Sequence, residues 1–102
     1  EAMKMLQSAY QMKKNDPYII DSIGWAYYLL GDFETAEAYM NKAIQILPYD
    51  PIVNDHYGDI LWNLNEKLKA RYFWKKTLEL EDTDDDMRKK LLQKIIKGVK
   101  KI

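Results

Sequence analysis

Asp55, His56 and Asp59 are the closest this chain comes to a reactive cluster: on a helix they share one turn, with His56 and Asp59 three residues apart. Carboxylate and imidazole at that spacing could grip a metal ion or pass a proton. The chain has a single histidine and no cysteine, so no second soft ligand is at hand and metal binding is not expected. A second group, Asp82-Thr83-Asp84-Asp85-Asp86, has the alternating carboxylates of a calcium loop. Such a loop also needs glycine at its sixth position and a bidentate glutamate at its twelfth, where this chain has Met87 and Gln93. The run reads instead as a linker whose last aspartates cap the next helix. No glycine-rich phosphate loop, nucleophile elbow or zinc spacing occurs. The expectation is a protein that is not an enzyme and uses no cofactor.

The elements that carry these residues follow from periodicity. Bulky apolar residues recur three and four apart, and most Gly and Pro fall between the periodic stretches. This predicts six helices and no strand, near Ala2 to Met12, Pro17 to Leu30, Phe33 to Leu47, Pro51 to Asn63, Lys67 to Leu80 and Asp86 to Lys100. Asp16-Pro17 and Asp50-Pro51 each place a capping carboxylate before a proline at the first helical position. Gly31 suits the positive φ of a helix-ending turn, and Asn65 does the same less well. Gly24 and Gly58, inside helices, predict close approach to the facing helix, where Ala36 and Ala70 are also small.

The chain repeats itself at a step of 34 residues. Laying 17–50 on 51–84 matches Pro17/Pro51, Asp21/Asp55, Gly24/Gly58, Leu30/Leu64, Ala36/Ala70, Lys42/Lys76 and Asp50/Asp84. The first unit has Ile20, Ile23-Gly24, Tyr27, Gly31, Ala36, Met40, Ala43 and Pro48 in the order of a tetratricopeptide repeat, and the chain resembles that family. The second unit has Asn54, Tyr57-Gly58, Leu61, Asn65, Ala70, Trp74, Thr77 and Asp82, keeping the small and bulky positions but not the turn Gly or closing Pro. Ala2, Leu6 and Ala9 fall on the second-helix positions of an earlier unit. The resemblance covers 1–84 and is nearest in wording to the C-terminal repeats of large bacterial repeat proteins. It implies an all-α, right-handed solenoid of antiparallel helix pairs in one domain: 1–16 as a second helix, 17–50 and 51–84 as repeats, and 85–102 as an amphipathic cap.

In this family the first helix of each pair lines a concave groove. The ligand-contacting positions of the resemblance fall on Tyr18, Asp21, Ser22, Trp25, Tyr28 and Leu29, then on Ile52, Asp55, His56, Asp59, Trp62 and Asn63. Asp21, Trp25 and Tyr28, like Asp55, Asp59 and Trp62, are also spaced to share a helix face. Aromatics and acids on one face imply a basic or amphipathic peptide or helix segment as partner. The family's clamp for acidic chaperone tails uses Lys, Arg and Asn here, and this chain has Asp. Aromatics at helical spacing also read as core, and Tyr27, Tyr39, Tyr57, Phe73 and Trp74 are taken that way.

Sixteen Lys plus Arg balance sixteen Asp plus Glu, so no overall field favours nucleic acid, and none is expected as a partner. No stretch approaches the roughly 20 apolar residues of a membrane span, and a soluble domain is expected. The lack of cysteine leaves cytoplasm and periplasm equally compatible. In the last helix Met87, Leu91, Leu92, Ile95, Ile96, Val99 and Ile102 oppose Arg88 and several lysines from Lys89 to Lys101. A cap over the solenoid end is the favoured reading, with membrane contact the lesser one. At the other end, Met3, Met5, Leu6, Tyr10 and Met12 form an apolar edge that could self-associate. The expected function is a protein-interaction module that binds a peptide in the groove; the alternative is a scaffold end piece whose groove stays empty.

Overall fold

The computed structural model describes residues 2–100; Glu1, Lys101 and Ile102, and the expectations attached to them, lie outside the described residues. Six helices follow one another: α1 Ala2–Met12, α2 Pro17–Leu29, α3 Phe33–Ile46, α4 Pro51–Asn63, α5 Lys67–Glu79 and α6 Asp85–Lys97. Short turns fold α2 against α3 and α4 against α5, and α1 and α6 flank these pairs. The result is an all-α helical-repeat solenoid measuring 38 × 28 × 20 Å.

Local chemistry sets the boundaries. Asp16 accepts from the backbone N–H of Tyr18 at 2.9 Å, and Asp50 from that of Val53 at 3.0 Å. Asp32 caps α3 through Thr35, while α5 starts at Glu66 without a side-chain cap bond. Gly31 takes φ 84° and Asn65 φ 63°, ending α2 and α4 in matching left-handed turns. Asp84 caps α6 through Met87 N–H at 2.8 Å, so α6 begins one residue earlier than expected. It also ends three residues earlier, because Gly98 leaves the helix at φ 74°, ψ −165°.

The core is continuous through both repeats. Ile20, Ile23, Met40, Ala43, Val53, Ile60, Leu61, Trp74 and Leu91 are buried. Tyr57 is also buried, donating to Glu37 Oε2 at 2.8 Å and accepting from Asn41 at 3.1 Å. Tyr27, Tyr39 and Phe73 pack at the margin. Lys42 donates to the Tyr10 hydroxyl at 3.0 Å and Gln7 to that of Tyr27 at 3.0 Å, tying α1 to the first repeat, yet no residue of α1 is fully buried.

Gly24 meets α3 as the spacing predicted: an added Cβ would lie 3.3 Å from the Ala36 carbonyl and 3.2 Å from Met40 Cε. Gly58 differs, since its close neighbour is the indole of Trp74 and not Ala70. A larger partner side chain has taken up the space that the glycine leaves. Ala36 is fully buried, so Ala36→Leu is expected to overpack the α2/α3 contact by about 1–3 kcal/mol. Denaturant melts would read this directly, and an unchanged midpoint would rule the contact out as a tight one.

Candidate functional site

The twelve groove positions divide into an open set and an enclosed set. On α2, Tyr18, Ser22, Trp25 and Leu29 succeed one another at helical spacing and form one stripe. Tyr18 is 65% exposed and Leu29 57%, and Ile52 at the start of α4 is 52% exposed. Ser22 bonds the Tyr18 carbonyl of its own helix. Trp25, half-buried, stacks on Tyr28 at 4.5 Å and on His56 at 4.0 Å, which joins the stripe to α4.

The remaining polar groups are engaged inside the chain. His56 Nδ1 lies 2.9 Å from Asp21 Oδ1. A carboxylate only accepts, so Nδ1 carries the shared proton. Tyr28 is buried, and its hydroxyl accepts from Asn63 at 3.0 Å. Burial, with the charge of Asp59 nearby, pushes the Tyr28 phenol up to about 12. The expected reactive turn is thus divided: His56 faces Asp21, while Asp55 and Asp59 face α6.

There Lys94 donates to Asp55 at 2.9 Å and to both oxygens of Asp59 at 3.0 and 3.1 Å. Asp59 also accepts from Trp74 Nε1 at 3.1 Å. Burial, reinforced by Asp55, pushes the Asp59 carboxyl up to about 6 despite these donors. Burial alone would lower the Lys94 ammonium, but the two carboxylates outweigh it and hold it above its ordinary value. The trio is a compact, largely enclosed ion cluster between α4 and α6.

Trp62 is covered too. Gly98 lies so close to its indole that any Cβ there would collide with the ring. Arg71 and Lys67 each stand 4.9 Å from the ring centre, and Arg71 Nε donates to the Ile95 carbonyl at 2.9 Å. Sequence reasoning placed Trp62, Asp55 and Asp59 on the ligand face but missed Lys94, Arg71 and Gly98, which enclose them. The only hint was the density of lysine on an otherwise apolar last helix. A cleft bordered by Trp62, Asn63, Asn65 and Lys67 holds about 140 Å³, well below the roughly 300–1,000 Å³ of small-molecule sites. Among the described residues no helix is long and apolar enough to cross a membrane.

Comparison with known proteins agrees with this architecture. The tetratricopeptide repeat family matches residues 17–50. The TPR repeat-containing protein PA4667 of Pseudomonas aeruginosa is 37% identical over 59 residues, which is 58% of this chain and 10% of that protein. Human aspartyl/asparaginyl beta-hydroxylase is 30% identical over 82 residues, 78% of this chain and 11% of the enzyme. The chain therefore spans about a tenth of the length of these curated relatives. Among solved structures, the first TPR of Spaghetti (RPAP3) bound to the HSP90 peptide SRMEEVD superposes with a TM-score of 0.76 at 19% identity, covering 93% of this chain and 78% of that one. With the 34-residue step, the matched turns and the paired helices, these likenesses make the chain a tetratricopeptide-repeat protein.

Proposed function

We propose that this domain is a noncatalytic protein-interaction module that receives a peptide or helix segment along the α2 stripe. The observation that carries this reading is the exposure of Tyr18, Leu29 and Ile52 beside the half-buried Trp25, four large apolar side chains on one face. Contiguous exposed apolar area of this kind suits apolar anchors of a partner. The acids of the face act more weakly than a free acidic row would. Asp21 is joined to His56, and Asp55 and Asp59 share one lysine, so a modest negative charge is left near α4. An amphipathic segment with apolar anchors and a flanking basic residue fits best. The RPAP3 domain holds an acidic peptide; carboxylates at Asp21, Asp55 and Asp59 favour the opposite charge here.

Substituting Tyr28 or Trp62 would disturb packing as much as binding, so the test uses the exposed residues. Peptides selected from a random display library on the immobilised domain should bind the Tyr18→Ser/Leu29→Ser/Ile52→Ser variant at least about tenfold more weakly. The thermal melt should shift little, since each change is on the surface. Undiminished affinity in the folded variant would remove the α2 stripe as the docking face. A scaffold role is the second reading, favoured by α1, where Met5 is 73% and Met12 85% exposed. Light scattering at rising concentration should then show growth in mass that Met5→Lys/Met12→Lys abolishes; a constant monomer mass would count against it.

A further inference from the structure

α6 is in frame with the repeat. Asp84 lies 34 residues beyond Asp50, as Asp50 lies 34 beyond Asp16, and all three cap the helix that follows. Leu91, at the position of the buried Ile23 and Tyr57, is itself fully buried. α6 is therefore the first helix of a third unit by register as well as by packing. In the two complete units, the position of Gly24 and Gly58 is where the second helix comes closest. In α6 that position is Leu92, 52% exposed, and one turn on is Ile96, 75% exposed, at the position of Tyr28 and Trp62. Among the described residues no helix covers them, and the chain leaves α6 at Gly98 toward Trp62, on the side of α4.

Lys89, Lys90, Lys97 and Lys100 flank this apolar step, all exposed and without a hydrogen bond or ion pair among the described residues. Asp85 and Asp86 stand at the helix's N-terminal end. We infer that the outer face of α6 is a second interaction surface, which takes an amphipathic helix of another protein in the place a repeat's second helix would occupy. Repeat geometry runs that helix antiparallel to α6, so its first half lies against Lys97 and Lys100 and its last turn against Asp85 and Asp86. Glutamates early and lysines late complement both ends, and the same order suits the partner's own helix dipole. Leu92 stands where glycine lets α3 and α5 approach, so the partner carries a small residue opposite it.

A second copy of this chain is a poor occupant. Its α1 is the natural second helix, but α1 has Lys4 and no acid, and Lys13 and Lys14 follow it, giving like charges across the contact. A membrane is also disfavoured, because Leu91, Met87, Ile95 and Val99 face the core and leave only a two-residue apolar step for insertion.

The test uses a labelled synthetic helix of about sixteen residues, long enough to run beside α6, with a leucine face centred on alanine, glutamates in its first half and lysines in its last turn. Anisotropy should show saturable binding that weakens at least about tenfold with Leu92→Asp/Ile96→Asp and with a peptide of inverted charge order. Both positions are exposed, and circular dichroism checks that the variant is folded. The Tyr18→Ser/Leu29→Ser/Ile52→Ser variant should bind this probe as the parent does, so the two surfaces fail independently. Absence of binding, equal binding of the inverted peptide, or an unaffected Leu92→Asp/Ile96→Asp variant would overturn the inference. So would lysine-dependent capture by phosphatidylserine vesicles of a protein that ignores the peptide.

Discussion

Replacing Lys94 with methionine should destabilise the domain by about 3 kcal/mol at pH 8, with the deficit shrinking toward pH 5. Lys94 supplies the cation shared by Asp55 and Asp59, whose side chains are 17% and 10% exposed. Breaking a buried pair by removing one partner typically costs about 3–5 kcal/mol, and the residual exposure here argues for the lower end. The pH dependence follows from the direction of the shifts. Asp59 is raised from 3.8 to about 6 in the folded chain, so the folded state binds more protons than the unfolded state between these values. Stability from that group is present at low pH and is lost as pH rises through about 6. Without the cation, Asp59 rises further and this loss extends to higher pH, which widens the gap between variant and parent. Lys94 is itself raised, so its contribution holds below its unfolded value and disappears only in strong base. Urea melts at pH 5 and pH 8 check this. A deficit independent of pH would mean that Lys94 acts through its aliphatic stem alone.

Gly58→Ala should be about as damaging, at about 3 kcal/mol, despite adding a single methyl group. The new Cβ would fall 2.6 Å from Trp74 Cδ1 and closer still to Nε1. Trp74 is fully buried and its N–H is engaged by Asp59, so the ring cannot yield without disturbing the ion cluster. Overpacking costs about 1–3 kcal/mol and more when the neighbour is rigid. A midpoint about 10 °C lower is expected for a domain of this size. Gly31→Ala is the control: it meets open space and should show only the modest cost of positive φ. Equal losses at both glycines would show that backbone freedom, and not the Trp74 contact, explains Gly58.

The sequence made much of the fold legible because its punctuation is local. Asp16-Pro17, Asp50-Pro51, Gly31 and Asn65 each act within a few residues of where they stand, and the structure uses them as helix starts and left-handed turns. The enclosure of the second repeat's face depends on contacts that no local pattern encodes. Lys94 meets Asp55 and Asp59 across 39 and 35 residues. It also occupies the repeat position of Ala26 and Ile60, so the period itself pointed to an apolar residue there. Gly58 shows the same limit: the repeat marked a close approach, and only packing identified Trp74 as what approaches. Trp25 and Trp62 held equivalent standing as ligand contacts by spacing, yet Trp62 is covered by Gly98 and Arg71 while Trp25 borders the open stripe.

That last contrast gives the most direct test of where a partner docks. Three tryptophans give three indole N–H signals in a nitrogen-15 correlation spectrum, and Trp25→Phe, Trp62→Phe and Trp74→Phe assign them. On titration with a peptide selected against the domain, the Trp25 signal should shift progressively while that of Trp74, bonded to Asp59 in the core, stays in place. A Trp25 signal that remains still while the peptide saturates the protein would contradict docking on the α2 stripe.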